Sequence, residues 1–392
     1  MTTARPLTAA GRLSTRRVRV VLDGTPLLGA RTGVGRYTAH LIEELAHDPR
    51  FDVAVTAFTW RGQAGLASAL PAGATSAARR VPARLLQGAW ERGELPPIEL
   101  LTGRAAIVHG TNFVQPPAWR ARGVLMIHDL AYLRLPDTVS SASARYRTLV
   151  PRGLRRASAV VTPSRAVADE VVAEYGLDPA LVTPTPLGVD PAWFDVTGPD
   201  AGWLAARGLP ERYLLFVGSL EPRKNVATLL TAVRRLRAER ADLPPLVLVG
   251  PPGWGPALDV AGLPTDTVVS AGFLPDDDLR RVVAGAAALC FPSMYEGFGL
   301  PVLEALAAGT PVVAGDGPAV REVAGPLAGS AVRLVDPRDP DALAAAIGTV
   351  LDERAGAGAG GTFDPEPGRR HARGFTWAAT AARTAEVYTA LI

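Results

Sequence analysis

Two carboxylates and one cationic pair stand out in this chain as groups able to do chemistry. The first segment is Pro292-Ser-Met-Tyr-Glu296-Gly297-Phe298-Gly299-Leu300-Pro301-Val-Leu-Glu304. An apolar run that reads as a strand precedes it, and Pro301 suits the first turn of a following helix. Gly297 and Gly299 let backbone N–H groups approach a ligand closely, and a helix N-terminus favours an anion. Glu296 falls in the loop and Glu304 about one turn into the helix, so both are expected at one cleft, accepting hydrogen bonds from hydroxyl groups. The second segment is Gly218-Ser-Leu-Glu-Pro-Arg223-Lys224-Asn225. The chain has one lysine against forty arginines, and that lysine, Lys224, lies beside Arg223 between a strand and a helix. Arginine offers a planar fork and lysine a compact point charge, and a diphosphate uses both.

Other polar residues are weaker candidates. His128 follows an apolar strand and is expected at its C-terminal end, facing the cleft, with Asp129 as its orienting partner or a loop cap. His109 and Asn112, in His109-Gly-Thr-Asn112 after another strand, are candidates for contact with an acceptor. Asp23 is expected to cap the turn after the first strand. Asp276-Asp277-Asp278 invites a metal reading, but the run opens a helix, where aspartates serve as N-cap and first-turn residues; no metal site is expected. Gly33-x-Gly35 lacks the third glycine of a dinucleotide fingerprint, and Gly250-Pro-Pro-Gly253-Trp-Gly255 lacks the ending of a P-loop. The latter reads as a strand-end turn near a nucleobase.

The elements that must position these residues repeat a pattern. Apolar runs at Val18–Leu22, 53–56, 106–109, 124–127, 159–162 and 181–183 read as strands with helices between several of them, notably Gly33–Ala46, 142–156 and 165–175. The pattern restarts with strands at 213–217, 246–249, 268–271, 288–291, 311–314 and 332–335 and helices at 226–237, 276–283, 301–308, 319–323 and 340–351. Continuous apolar strands alternating with helices imply parallel sheets covered on both faces. The expectation is an α/β protein of two Rossmann-like, doubly wound domains, 18–195 and 205–374, facing each other across a cleft. A C-terminal helix, 375–392, should pack back toward the N-terminal domain. Residues 1–17 read as a disordered lead-in, and Ala355–Gly361 as a flexible spacer. Hydrophobic content of 48%, one cysteine and no apolar stretch long enough to span a bilayer describe a globular chain without disulfides or a membrane span. Residues 1–200 carry 23 arginines against 17 acidic groups, while the remainder is net acidic. The basic half suits an anionic partner or membrane surface, with Arg145, Arg147, Arg152, Arg155 and Arg156 as the candidate patch. No nucleic-acid-reading motif is present.

The Glu-x7-Glu pattern with Glu-Gly-Phe-Gly-Leu-Pro inside it closely resembles family 4 of the retaining glycosyltransferases, which have the GT-B fold. Phe216-Val-Gly218-Ser-Leu-Glu-Pro-Arg223-Lys224-Asn225, Thr32-Gly33-Val-Gly35-Arg36-Tyr37, Ile127-His128-Asp129-Leu130 and Pro186-Leu-Gly188-Val-Asp190 resemble further motifs of that family, in the expected order. The resemblance implies that Arg223 and Lys224 grip the diphosphate of a sugar donor, that Glu296 contacts the donor sugar and Glu304 the ribose. It implies that Gly218, Gly297, Phe298, Gly299 and Leu300 line the donor site, and that Gly33 and Gly35 close over the diphosphate as a mobile loop, Gly33–Tyr37. His128 would act near the reacting sugar through a hydrogen bond or its carbonyl. The implied reaction needs no metal and no cofactor beyond the nucleotide-sugar substrate. Thr-Gly-Val-Gly-Arg-Tyr, His-Gly-Thr-Asn-Phe and Ile-His-Asp-Leu-Ala-Tyr-Leu-Arg-Leu-Pro-Asp resemble the family's mannosyltransferases. GDP-mannose is therefore the favoured donor, with dTDP-rhamnose and UDP-hexoses as alternatives. The acceptor is expected to be a glycan or lipid-linked glycan in cell-envelope or polysaccharide synthesis. The enzyme would be cytoplasmic, peripheral at the inner membrane face. The rival readings are another GT-B sugar-nucleotide enzyme, such as an epimerase or a pyridoxal-dependent phosphorylase, and a non-catalytic nucleotide-sugar-binding protein.

Overall fold

The computed structural model describes residues 17–29, 32–59, 62–79, 82–356 and 363–392. The expected lead-in, apart from Arg17, and residues 357–361 of the expected spacer lie outside the described residues. Strand pairing divides the chain into two all-parallel sheets. The first comprises β1 (Val18–Asp23), β2 (Phe51–Thr56), β3 (Thr75–Ser76), β4 (Ile107–Gly110), β5 (Arg122–Met126), β6 (Ala157–Thr162) and β7 (Val182–Pro184), in the order β3-β2-β1-β4-β5-β6-β7. The second comprises β8 (Leu214–Val217), β9 (Leu246–Val249), β10 (Val268–Gly272), β11 (Ala288–Phe291), β12 (Val312–Gly315) and β13 (Val332–Val335), in the order β10-β9-β8-β11-β12-β13. The central strands are apolar throughout because helices cover both faces; Leu214, Leu215 and Phe216 of β8 are all fully buried.

Both orders contain a reversal, between β1 and β4 and between β8 and β11. Crossovers leave these points in opposite directions, so a crevice opens beyond the strands' carboxyl ends. Asp23 ends β1 and His109 lies in β4, while the Arg223-Lys224 turn follows β8 and the Glu296 loop follows β11. Four candidate segments thus converge by topology.

Two expectations are corrected. The mobile loop that the resemblance implied at Gly33–Tyr37 is the opening of the helix Gly33–His47, as the helical spacing indicated, and Tyr37 is fully buried. The helix expected over 142–156 is split into Ser141–Ala144, capped by Ser140, and Tyr146–Arg156. The basic cluster is partly paired. Arg145 pairs with Glu91, and Arg156 pairs with Glu94 at 2.6 Å while donating to the Trp90, Gly93 and Gln115 carbonyls, whereas Arg147 and Arg155 donate to the Tyr132 and Pro151 carbonyls. Exposed Arg104, Arg120 and Arg122 lie near the N-terminal ends of β4 and β5, with no carboxylate partner among the described residues. Nearby, the Glu99 carboxylate accepts the Trp119, Arg120 and Ala121 N–H groups at 2.9–3.1 Å, which brings exposed Leu100 and Trp119 together.

The C-terminal helix Trp377–Leu391 lies on the first sheet's domain. Trp377 stacks on His40 at 4.7 Å, and Thr380 Oγ1 donates to the Pro186 carbonyl at 2.6 Å. The Tyr388 hydroxyl meets His109 Nδ1 at 2.6 Å. Gly188 permits the crossing, since a Cβ there would sit 2.2 Å from the Trp377 nitrogen. No helix among the described residues is long and apolar enough to cross a membrane.

Candidate active site

β8 ends at Val217, and Gly218 turns the chain at φ +152°, a conformation that disfavours any other side chain. Pro222–Lys224 then forms one 3₁₀ turn, closed by Asn225 in the left-handed region at φ 58°. Asn225 holds the turn in place by donating from Nδ2 to the Pro337 carbonyl at 2.5 Å and the Pro292 carbonyl at 3.2 Å. The turn aims both cations at one carboxylate. Lys224 Nζ donates to Glu296 Oε1 at 2.6 Å, and Arg223 Nη1 lies 3.1 Å from Glu296 Oε2. The same Nη1 donates to the Tyr295 carbonyl at 2.7 Å. Burial pushes the Glu296 carboxyl up, but Lys224 and Arg223 together outweigh it and hold the group at about 2. Glu296 is therefore ionised throughout the physiological range.

The glycines after Glu296 serve contact between domains. A Cβ on Gly297 would lie 1.8 Å from the His128 carbonyl oxygen, and the Gly297 carbonyl accepts from Ser164 Oγ at 2.7 Å. Gly299, at φ +104°, is the N-cap of the helix Leu300–Ala308, with Pro301 in its first turn. Phe298 and Leu300 are buried, and Phe298 meets Phe375 edge-on at 6.1 Å. Glu304 is buried on the same helix and pairs with Arg36 of the opposite domain. Burial pushes the Glu304 carboxyl up to about 7, against the pull of Arg36.

On the facing domain, His128 is buried, and its Nε2 donates to the Thr111 carbonyl at 2.9 Å. That bond requires the proton on Nε2 and leaves Nδ1 with its lone pair. Burial lowers the imidazole to about 4, so it is neutral at pH 7. Tyr37 and Phe113 meet its ring edge-on at 5.3 and 5.5 Å. Asp129 is a loop cap, its Oδ1 accepting from the Ala131 N–H at 2.9 Å. Asn112 precedes Phe113, which adopts φ 60° and stacks on Tyr146 at 4.4 Å. His109 is fully buried against Tyr388, a joint to the C-terminal helix and not an exposed acceptor contact. Asp23 caps Thr25 through the backbone and hydroxyl at 2.9 and 2.6 Å, and burial raises it to about 6. Pro275, not Asp276, is the N-cap of the helix Asp276–Gly285. Asp278 pairs with Arg207 at 3.2 Å and Asp277 with Arg280. Among the described residues no group of three or more His, Cys, Asp or Glu is arranged to hold a metal ion.

Several residues at this junction escaped sequence reasoning. Tyr295 crosses the cleft, donating to Glu170 Oε2 at 2.6 Å and accepting from the Leu130 N–H at 2.9 Å. Glu322 accepts the Arg165 and Ala166 N–H groups, each at 2.9 Å, at the start of the helix Arg165–Tyr175. Ser164 was findable as that helix's N-cap, since its hydroxyl accepts from the Val167 N–H at 3.2 Å. Its bond to Gly297 carried no local signal.

Two facing parallel-sheet domains with a cleft at their switch points make this a GT-B fold. Residues 31–193 match the model for Glycosyltransferase Family 4, and residues 211–353 match that for Glycosyl transferases group 1. The chain is 31% identical over 320 residues to a D-inositol 3-phosphate glycosyltransferase of Thermobispora bispora, 73% of this chain and 71% of the relative. It is 36% identical over 240 residues to the MMP alpha-(1->4)-mannosyltransferase of Mycolicibacterium hassiacum, 60% of this chain and 55% of that protein. The match thus spans little more than half the length of the mycobacterial relative. The chain belongs to glycosyltransferase family 4. Among solved structures it resembles sucrose-phosphate synthase from Thermosynechococcus elongatus, with TM-score 0.70 and 20% identity over 96% of this chain and 99% of that one. It also resembles Anabaena HepE in complex with UDP-glucose, with TM-score 0.67 and 18% identity over 95% of this chain and 100% of that one.

The closest approach at the junction is open to test. Gly297→Ala should part the domains, because a methyl group cannot occupy a point 1.8 Å from a carbonyl oxygen. Small-angle scattering should report a larger radius of gyration with unchanged far-UV circular dichroism. An unaltered scattering profile would refute the contact.

Proposed function

We propose that this chain is a retaining glycosyltransferase. It would move a hexose, mannose in the favoured reading, from a nucleoside diphosphate to an acceptor hydroxyl without a metal. The observation that carries the reading is the Glu296 carboxylate held between Lys224 and Arg223 at the β8/β11 switch point. Glu221 also lies 3.6 Å from Arg223, so the two cations are balanced by two carboxylates; what they offer a diphosphate is N–H groups converging beside a helix N-terminus. An arriving diphosphate shares the cations, and Glu296 then has lone pairs free for the hydroxyls of the sugar.

In the proposed reaction the bond from the anomeric carbon to the departing phosphate oxygen breaks, and a bond to the acceptor oxygen forms on the same face. The acceptor's proton passes to that phosphate oxygen. Arg223 and Lys224 stabilise the charge that develops on the diphosphate. Glu296, clamped by two cations, is a poor nucleophile and serves as a hydrogen-bond acceptor. Neutral His128 borders the site, its carbonyl against Gly297. Mannose is supported by the mannosyltransferase relative.

The acceptor is proposed to be a glycan, free or lipid-linked, met at an anionic membrane surface. Arg104, Arg120 and Arg122 beside exposed Trp119 and Leu100 support this reading, since arginine attracts acidic headgroups and tryptophan favours the interface.

Three outcomes are expected. In thermal-shift assays with GDP-, UDP-, dTDP- and ADP-sugars, one nucleotide class should raise the melting temperature equally with and without EDTA; a shift abolished by EDTA refutes the metal-free mechanism. Lys224→Ala removes a charge-assisted contact worth roughly 1.5–3 kcal/mol, so calorimetry should find the matching nucleoside diphosphate bound about ten- to a hundredfold more weakly. Unchanged affinity would dissociate Lys224 from the diphosphate. Sedimentation with phosphatidylglycerol vesicles should exceed that with neutral phosphatidylcholine vesicles and fall in Arg120→Glu/Arg122→Glu; equal sedimentation with both vesicle types rules out this surface.

A further inference from the structure

Arg36 and Glu304 stand on different domains. Arg36 lies in the first turn of the helix Gly33–His47, Glu304 in the helix Leu300–Ala308, and Arg36 Nη1 donates to Glu304 Oε1. The carboxylate side chain is 4% exposed and the guanidinium 18%. Arg36 uses one N–H here, and its Nε is buried with no partner, a donor left to be satisfied.

Among the described residues no other cation is in contact with Glu304. Asp276 and Arg280 face it from the helix Asp276–Gly285, the first pushing its carboxyl up and the second down, each less than Arg36 pulls it down. Arg280 is itself paired with Asp277. The other charged groups nearby are engaged elsewhere. Glu322 binds backbone N–H groups of the opposite domain, Arg321 pairs with Asp316 at 2.6 Å, and Arg369 and His371 donate to the Ala308 and Val323 carbonyls. With Arg36 in place the carboxyl stands at about 7, and without that cation it would be pushed higher still, toward the protonated form at neutral pH.

We infer that Arg36 is a positioning residue: reaching across from the other domain, its guanidinium holds and aims the Glu304 carboxylate, so that an acceptor for the donor's ribose hydroxyls is set in place only while the two domains are together. The inference rests on the nucleotide-sugar donor proposed above and on the role at the donor ribose that the family resemblance implies for Glu304. Two vicinal hydroxyls are both donors, and a carboxylate can accept from both, whereas a carboxylic acid spends one oxygen on its own proton. Arg36 engages Oε1 through one N–H, which leaves the remaining lone pairs of Glu304 for the ribose. A strut that merely joined the domains would need no particular protonation state. A buried ion pair is in any case a weak source of net stability.

The test is calorimetric titration of GDP, UDP and dTDP between pH 6 and 9, needing no acceptor and no turnover. With the nucleotide that binds the wild type, Arg36→Met should lose at least tenfold in affinity at pH 7. Removing the cation raises the carboxyl further, so the loss of binding on acidification should begin about one pH unit higher than in the wild type. Arg36→Lys should restore most of both. Glu304→Gln should abolish that acid limb, and Arg36→Met added to it should cost no further affinity. Circular dichroism checks that each variant is folded. Wild-type binding with an unchanged affinity and pH profile in Arg36→Met overturns the inference alone. Failure of all three nucleotides to bind the wild type overturns the proposed function, and this inference with it.

Discussion

A carboxylate taken out of water must find compensating charge, and Glu296 finds it twice, in Lys224 and in Arg223. That triple constrains much around it. The two cations come from a turn after β8 and the carboxylate from a loop after β11, so the ion pairs tie together the two strands that flank the reversal in strand order. Asn225 donates from its side chain into the loops on the far side, fixing the turn that presents the cations. Tyr295 gives its carbonyl to Arg223 and its hydroxyl to Glu170 across the cleft. The charge cluster and the domain junction are thus mechanically continuous through one residue.

The junction is held by backbone as much as by side chains. Gly297 lies so close to the His128 carbonyl that only hydrogen fits, and Gly188 lies as close to the chain entering the last helix. Within the second domain a Cβ on Gly250 would lie 2.0 Å from the Gly218 carbonyl oxygen, which packs the strand-end turn against the glycine that precedes the basic pair. Such contacts fix distances without a side chain that might adapt, and polar bonds such as Ser164 to Gly297 then set the orientation. A site that must assemble from two bodies gains precision from contacts of this kind.

The strands were legible because a parallel sheet covered on both faces demands continuous β-branched and aliphatic runs, and β1, β8, β9 and β11 have no other reading. β3 was not legible: Thr75–Ser76 is a two-residue exposed edge, too short for any periodicity. At Gly33–Tyr37 the helical spacing was the better guide: it marked a helix over Gly33–Ala46, while the mobile loop came from the family resemblance, and burial of Tyr37, Thr38 and Leu41 fixes the helix. The Glu296 and Lys224 segments were marked by glycines and by composition, which are local. Arg36 with Glu304, Tyr295 with Glu170 and Ser164 with Gly297 are separated by more than 120 residues each, and no local pattern encodes such partners. The pairing inside the basic cluster was hidden for the same reason, since Glu91 and Glu94 reach Arg145 and Arg156 from a different helix and its following turn.

The geometry also accounts for a lysine at 224 in a chain that uses arginine everywhere else. Its ammonium lies 5.1 Å from the centroid of the Phe291 ring and bonds Glu296 Oε1, while its Cε lies 3.7 Å from where a Gly218 Cβ would stand. Lys224 thus has one carboxylate oxygen in line and an aromatic ring beside it, surroundings that suit a compact point charge. Arg223 has the opposite surroundings: the Tyr295 carbonyl, Glu296 and, at 3.6 Å, Glu221 lie around its guanidinium, and several N–H groups can be used at once. The two cations are therefore differently employed: Arg223 divides its N–H groups among several acceptors, while Lys224 concentrates its charge on one oxygen of Glu296.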